Sequence, residues 1–162
     1  MNNSLEVEVG GLLQRRGLKL GLAESCTGGL IGHRVTNTPG SSEYFMGGVV
    51  SYSYEAKVSV LGVSWDTLTA FGAVSRQTVL EMARGVKKLF DVDIAVSVSG
   101  IAGPGGGTLD KPVGTTWIGL VAKDGEWARE FHFIGDREQN KTASADAALQ
   151  MLLDYLLGKI KM

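Results

Sequence analysis

The chain has 162 residues, a length that suits one domain, so a single domain over 1–162 is expected. Hydrophobic residues make up 44% and charged residues 20%, enough apolar material for one core and too much for global disorder. Sixteen basic and seventeen acidic residues leave a net charge of -1, and nothing in that balance asks for nucleic acid or an anionic membrane as partner.

Leu5 to Arg16 has helical spacing, with Leu5, Val9, Leu12 and Leu13 on one face. Leu18 to Ala23 alternates, with Leu18, Leu20 and Leu22 on one side, and predicts a strand. Ser25 or Thr27 then caps a helix running to about Asn37. Thr38 to Ser42, TPGSS, is a turn. Phe45 to Ser53 reads as a strand, because VVSYS is rich in β-formers. A helix follows from Tyr54 to about Leu61, and a shorter one lies near Trp65 to Phe71. Ser75 caps the helix Arg76 to Phe90, with Val79, Met82, Val86 and Leu89 inward. Asp93 to Ser99 is a buried strand that runs into a long turn, Gly100 to Gly107, and Pro112 ends that loop. Val113 to Ala122 and Glu126 to Ile134 make a hairpin around Lys123-Asp124-Gly125. The last helix runs from about Glu138 to Leu157. Early alternation of helices and strands with a late hairpin predicts an α/β fold, a three-layer α/β/α sandwich on a mixed β-sheet.

Twenty-three glycines are about twice the average share of roughly 7%. They cluster at segment joints, which points to tight turns and close backbone approach around a site. Two histidines and one cysteine do not supply the four ligands of a structural zinc site, and one cysteine forms no internal disulfide. The apolar runs are strand-length and the N-terminus has no secretory pattern, so no membrane association and a cytoplasmic location are expected.

Four segments carry candidate chemistry. In LAESCTGGLIG, Ser25 lies between a strand and a helix, where open α/β sheets bind ligands. It reads either as a nucleophile or as a helix cap. Cys26 is the rival nucleophile or a small buried thiol. In VSYSYEAK, a cap at Ser53 makes Tyr52 the N′ residue and Lys57 N4, positions whose side chains commonly meet. The tyrosine hydroxyl and the lysine amine would then share one place. Lys57 is a usable base only if burial or a nearby cation lowers its pKa; otherwise it is a solvated helix lysine. The loop at 100–107 matches neither a P-loop nor a Rossmann fingerprint, and is either an anion cradle or a plain connection. In Gly135-Asp136-Arg137, the arginine suits a carboxylate or phosphate, while Asp136 caps the last helix or pairs with Arg137. His33 stands about two helical turns beyond Ser25, too far to serve it as base.

AESCTGG, YSYEAK, SGIAGPGGG…KPVGTTWIG and GDR, in this order and spacing, closely resemble the CinA C-terminal-domain family from about Leu5 to Leu157. The resemblance implies a nicotinamide-nucleotide amidohydrolase, a nicotinamide mononucleotide deamidase of pyridine-nucleotide salvage, and here the stand-alone form. It also implies a homo-oligomer, a small-molecule nucleotide as substrate, and no metal or other cofactor. The family's catalytic serine, tyrosine and lysine fall on Ser25, Tyr52 and Lys57. The reading is acyl transfer, with Lys57 taking the Ser25 proton directly or through Tyr52. Backbone N–H groups around Cys26, Thr27 and Gly28 form the oxyanion hole, and Arg137 with the loop at Gly100, Gly103 and Gly105 holds ribose and phosphate. Tyr54 stands where many members carry asparagine, and after Arg137 the run Glu138-Gln139-Asn140-Lys141 departs from a second arginine, leaving Lys141 as a substitute contact. A second class, a catalytically silent nucleotide-binding or regulatory module, fits the glycine loop and Arg137 equally well. A third is a Ser or Cys hydrolase of other amides.

Overall fold

The computed structural model describes residues 3–160. Six helices surround one five-stranded sheet. In chain order they are α1 (Leu5–Arg16), β1 (Leu20–Glu24), α2 (Leu30–Thr36), β2 (Phe45–Val50), α3 (Tyr54–Leu61), α4 (Trp65–Phe71), α5 (Arg76–Phe90), β3 (Ile94–Gly100), β4 (Thr115–Ala122), β5 (Gly125–His132) and α6 (Arg137–Leu156). A short 3-10 turn, Ser41–Glu43, leads into β2.

The sheet order is β2-β1-β3-β4-β5. β1 runs parallel to both of its neighbours, while β4 and β5 are antiparallel, so the sheet is mixed. Strand alternation splits the core in two. Leu20, Leu22, Ile94, Val96, Ile118 and Leu120 face α1, α2 and α6. Ala23, Ala95 and Val121 face α3, α4 and α5. These are the three layers expected from the element order.

Local chemistry explains the joints. Ser53, Ser64 and Ser75 each accept a hydrogen bond from a backbone N–H of the helix that follows. Asp136 caps α6 in a full capping box with Gln139, which decides between capping and pairing with Arg137. α6 therefore begins at Arg137, one residue ahead of the sequence reading. β2 stops at Val50 instead of reaching Ser53, since residues 51–53 leave the sheet to start α3.

The connection β1-α2-β2 leaves β1 on one side, and α3, α4 and α5 carry the chain across to β3 on the other. The carboxyl end of β1 is thus where the connections diverge. That is the place at which open α/β sheets form a crevice. Among the described residues, no helix is long and apolar enough to cross a membrane.

Candidate active site

Ser25 follows the last residue of β1 and gives its N–H to Val98 of β3 at 3.0 Å. The chain then turns through Gly28 and Gly29, both with positive φ, which glycine adopts without a Cβ clash. The expected cap is not built. Gly29 is the N-cap of α2 and no side chain caps it there. Thr27 instead donates its hydroxyl to Glu24 at 2.6 Å. The Glu24 carboxylate also accepts the N–H groups of Ile31 and Gly32, each at 3.0 Å. Glu24 does what Ser25 or Thr27 was expected to do, which leaves the Ser25 hydroxyl free for other work.

That hydroxyl lies 3.0 Å from the Lys57 amine. Lys57 sits at the end of the first turn of α3 and is only 1% exposed. Its amine also gives hydrogen bonds to the carbonyl oxygens of Ser51 at 2.7 Å and Tyr52 at 3.2 Å. Burial lowers its pKa from the ordinary lysine range to about 8, against a weaker opposing effect of the Cys26 sulfur. The three partners fix the direction of the proton. An ammonium would donate to all three. A neutral amine has two hydrogens and one lone pair, and a carbonyl oxygen only accepts. Both hydrogens then serve Ser51 and Tyr52, and the lone pair is left for the Ser25 hydroxyl hydrogen. Deprotonation of Lys57 therefore converts Ser25 from acceptor to donor.

The spacing argument for Tyr52 and Lys57 brings together different atoms from those expected. The Tyr52 carbonyl, not its hydroxyl, meets the amine. The Tyr52 ring is 59% exposed, and its hydroxyl accepts a hydrogen bond from Arg137 at 3.0 Å. Arg137 gives a second one to the Gly103 carbonyl at 2.7 Å. So the structure joins Ser25 to Lys57, and Tyr52 to Arg137 and the loop at 100–107.

Cys26 is buried, and burial pushes its thiol up to about 11, so it stays protonated near neutrality. Gly28 gives its N–H to the Ser25 carbonyl at 3.0 Å, which removes it from the expected oxyanion donors. The N–H groups of Cys26 and Thr27 go to no backbone carbonyl among the described residues. Gly100 packs so tightly on Thr116 that a Cβ would run into its hydroxyl, and Gly103 has φ +86 against Val113. Gly105 borders open space, so sterics do not demand glycine there. His33 is exposed on α2 beside Asn37, away from Ser25.

A cleft of about 420 Å³ adjoins the turn, lined by Leu30, Arg137, Glu138, Lys141 and Thr142. Lys141 reaches Gly28: a Cβ on that glycine would lie 3.9 Å from the Lys141 amine. Two cations, Arg137 and Lys141, and one carboxylate, Glu138, therefore border a cleft next to the glycine turn that follows the serine. Sequence reasoning missed Glu24 and also Asn140. The buried Asn140 side chain donates to the carbonyls of Ala102 and Gly135 and accepts the Gly135 N–H, each at 3.0 Å. It ties the glycine loop to the turn that presents Arg137. No group of three or more His, Cys, Asp or Glu side chains suited to a metal ion occurs among the described residues.

Fold and site together define a mixed-sheet α/β protein with a serine in a strand-turn-helix joint, hydrogen-bonded to a buried lysine. The chain belongs to the CinA C-terminal domain family, whose model matches residues 2–156. It is 51% identical over 160 residues to a CinA-like protein of Chlorobium limicola, covering 96% of this chain and 37% of that protein. Against a CinA-like protein of Thermotoga maritima it is 49% identical over 158 residues, covering 98% and 38%. The chain thus spans under two fifths of the length of these relatives. The competence damage-inducible protein A of Klebsiella pneumoniae superposes with a TM-score of 0.92 at 37% identity, covering 94% of this chain and 95% of that one. The competence/damage inducible protein of Agrobacterium tumefaciens gives a TM-score of 0.90 at 40% identity, covering 97% and 98%.

Proposed function

We propose that this protein is an amidohydrolase that cleaves the carboxamide of nicotinamide mononucleotide, giving nicotinic acid mononucleotide and ammonia in pyridine-nucleotide salvage. The observation that carries the reading is the Lys57 amine, buried and held between two carbonyl acceptors and the Ser25 hydroxyl. A protein that only binds nucleotide has no use for a buried amine there, because burying a cation is costly.

In the first half-reaction neutral Lys57 takes the Ser25 proton as the serine oxygen bonds to the carboxamide carbon. The oxyanion rests on the N–H groups of Cys26 and Thr27. The carbon–nitrogen bond then breaks, the Lys57 proton goes to the leaving nitrogen, and ammonia departs. Water adds to the acyl-serine by the reverse route, giving its proton to Lys57 and releasing the carboxylic acid with Ser25 restored. Tyr52 acts by holding Arg137, and Arg137 with Lys141 binds the phosphate, so that remote binding energy orients the amide.

Ammonia release from nicotinamide mononucleotide by the purified protein tests this. Ser25→Ala abolishes release while the protein stays folded, and Lys57→Arg loses it as completely, because arginine stays protonated. Cys26→Ser remains largely active. An inactive Cys26→Ser beside an active Ser25→Ala would make the thiol the nucleophile, and substantial activity in Lys57→Arg would rule out the lysine as base.

A further inference from the structure

Glu24 is the last residue of β1 and is 3% exposed, yet no basic side chain pairs with it among the described residues. A buried carboxylate without a cation is costly, and here only hydrogen bonds offset the burial. One oxygen accepts the Thr27 hydroxyl at 2.6 Å and the Ile31 N–H at 3.0 Å; the other accepts the Gly32 N–H at 3.0 Å. Every partner is a donor, a pattern that a carboxylate satisfies and an amide does not.

These bonds straddle the serine. They run from the residue before Ser25 to Thr27, two residues after it, and to the start of α2. Between them the main chain is held by the Ser25 N–H on Val98 and by two turn bonds, Gly28 N–H to Ser25 at 3.0 Å and Leu30 N–H to Thr27 at 3.1 Å, and by no other side chain. Gly28 and Gly29 have φ of +61 and +102, and the N-cap of α2 has no side-chain hydrogen bond. Glycines in such a turn resist distortion least. The backbone of Glu24 is pinned as well: its carbonyl accepts the Ser51 N–H at 2.9 Å. Ser51 in turn supplies one of the carbonyls that orient the Lys57 amine.

We infer that Glu24 is a positioning residue. Its carboxylate sets the Ser25–Gly29 turn, so that the N–H groups of Cys26 and Thr27, which meet no backbone carbonyl among the described residues, are held ready for the oxyanion that forms when Ser25 attacks. The carboxylate makes no hydrogen bond to Ser25 and acts through Thr27 and the start of α2. The inference rests on the acyl-transfer reading above, but not on the identity of the amide.

Two readouts separate the two. One is kcat and KM for ammonia release from nicotinamide mononucleotide. The other is the rate at which a fluorophosphonate probe labels Ser25, which needs the serine and its oxyanion donors but no nucleotide, with Ser25→Ala as the blank. Glu24→Gln places an NH2 group against the Gly32 N–H, donor facing donor. It lowers kcat by about 100-fold, the scale of losing one oxyanion donor. KM stays within about threefold, the pH–rate profile keeps its acidic limb, and labelling slows in parallel. Thr27→Val lowers kcat about tenfold, and Thr27→Ser, which keeps the hydroxyl, restores it. A Glu24→Gln protein that melts earlier but keeps kcat and labelling rate within about threefold of wild type overturns the inference and makes Glu24 a helix anchor only. If Glu24→Gln does not fold, the Thr27 pair decides: Thr27→Val matching wild type overturns it. A wild type that labels at Ser25 but releases no ammonia removes the nicotinamide substrate and leaves Glu24 to be judged by labelling alone. A wild type that does neither overturns both.

Discussion

Lys57 brings its amine against one hydroxyl and two carbonyls, and its pKa near 8 makes both reactivity and stability depend on pH. In the proposed role of base, Lys57 works when neutral. The acidic limb of the kcat/KM profile for ammonia release therefore rises to a plateau through about pH 8, far below a free lysine. A plateau already reached by pH 6 contradicts this assignment. Stability follows the same group. The folded state lowers the pKa below its unfolded value near 10.5, so between the two the unfolded chain binds more protons. Folding thus gains stability as pH rises from about 8 to 10.5, and that gain is lost as pH falls through 8. On linkage the effect is about 3 kcal/mol. Lys57→Met should lack this dependence, so its advantage in urea midpoint over wild type at pH 7 shrinks toward pH 10. Parallel curves for the two proteins across that range contradict a buried, titrating amine.

At the scale of elements, close approach between α3 and α5 sets where Lys57 lies. Gly85 on α5 has no room for a side chain: a Cβ there would run into the Leu61 carbonyl at the end of α3. Gly85→Ala is expected to cost about 1–3 kcal/mol by overpacking and to displace α3, measured by thermal melting together with Ser25 labelling. Unchanged melting would show that the helices part without strain. The elements themselves are largely legible in the sequence. The start of α3 follows from a cap at Ser53, and α5 from the Ser75 cap and apolar periodicity; the structure keeps both, with α4 at Trp65–Phe71, although Leu89, expected inward, is exposed because it lies on the last turn of α5. What escapes is contact at distance. Capping patterns look three residues ahead, but the Glu24 carboxylate meets N–H groups seven and eight residues on. The N′/N4 spacing places Tyr52 beside Lys57 correctly and cannot say which tyrosine oxygen arrives. The hydroxyl is drawn away by Arg137, 85 residues later, a pairing with no local signature.

The whole molecule depends on α6 twice over. Ala148, Leu149, Met151, Leu152 and Leu156 cover one face of the sheet, against Leu22, Val96, Ile118 and Leu120. The first residue of the same helix is Arg137, and Asn140 one turn later fastens the glycine loop. A chain ending at Asp136 uncovers β3 and β4 on that face and takes from α1 and α2 the helix they pack against. It should show no cooperative unfolding by circular dichroism and no labelling at Ser25. A cooperative melt of that fragment would mean that the α3–α5 side folds by itself. Two arginine ion pairs also fasten α2 to α1 and α6, Arg34 to Glu6 at 3.0 Å and Arg34 to Asp146 at 2.6 Å, so the same layer coheres through side chains as well as packing.

The split of the site across residues 25–28, 51–57, 100–103 and 137–141 also sets an order in time. As the domain leaves the ribosome, serine and lysine emerge before the glycine loop, and the glycine loop before the arginine that fastens it. The helix that carries this arginine also closes the core. Chemistry and compactness therefore arrive together within this domain, with its last helix. A nascent chain that stalls before this helix holds Ser25 and Lys57 on a sheet with an open apolar face, and that face is what a protease would meet first.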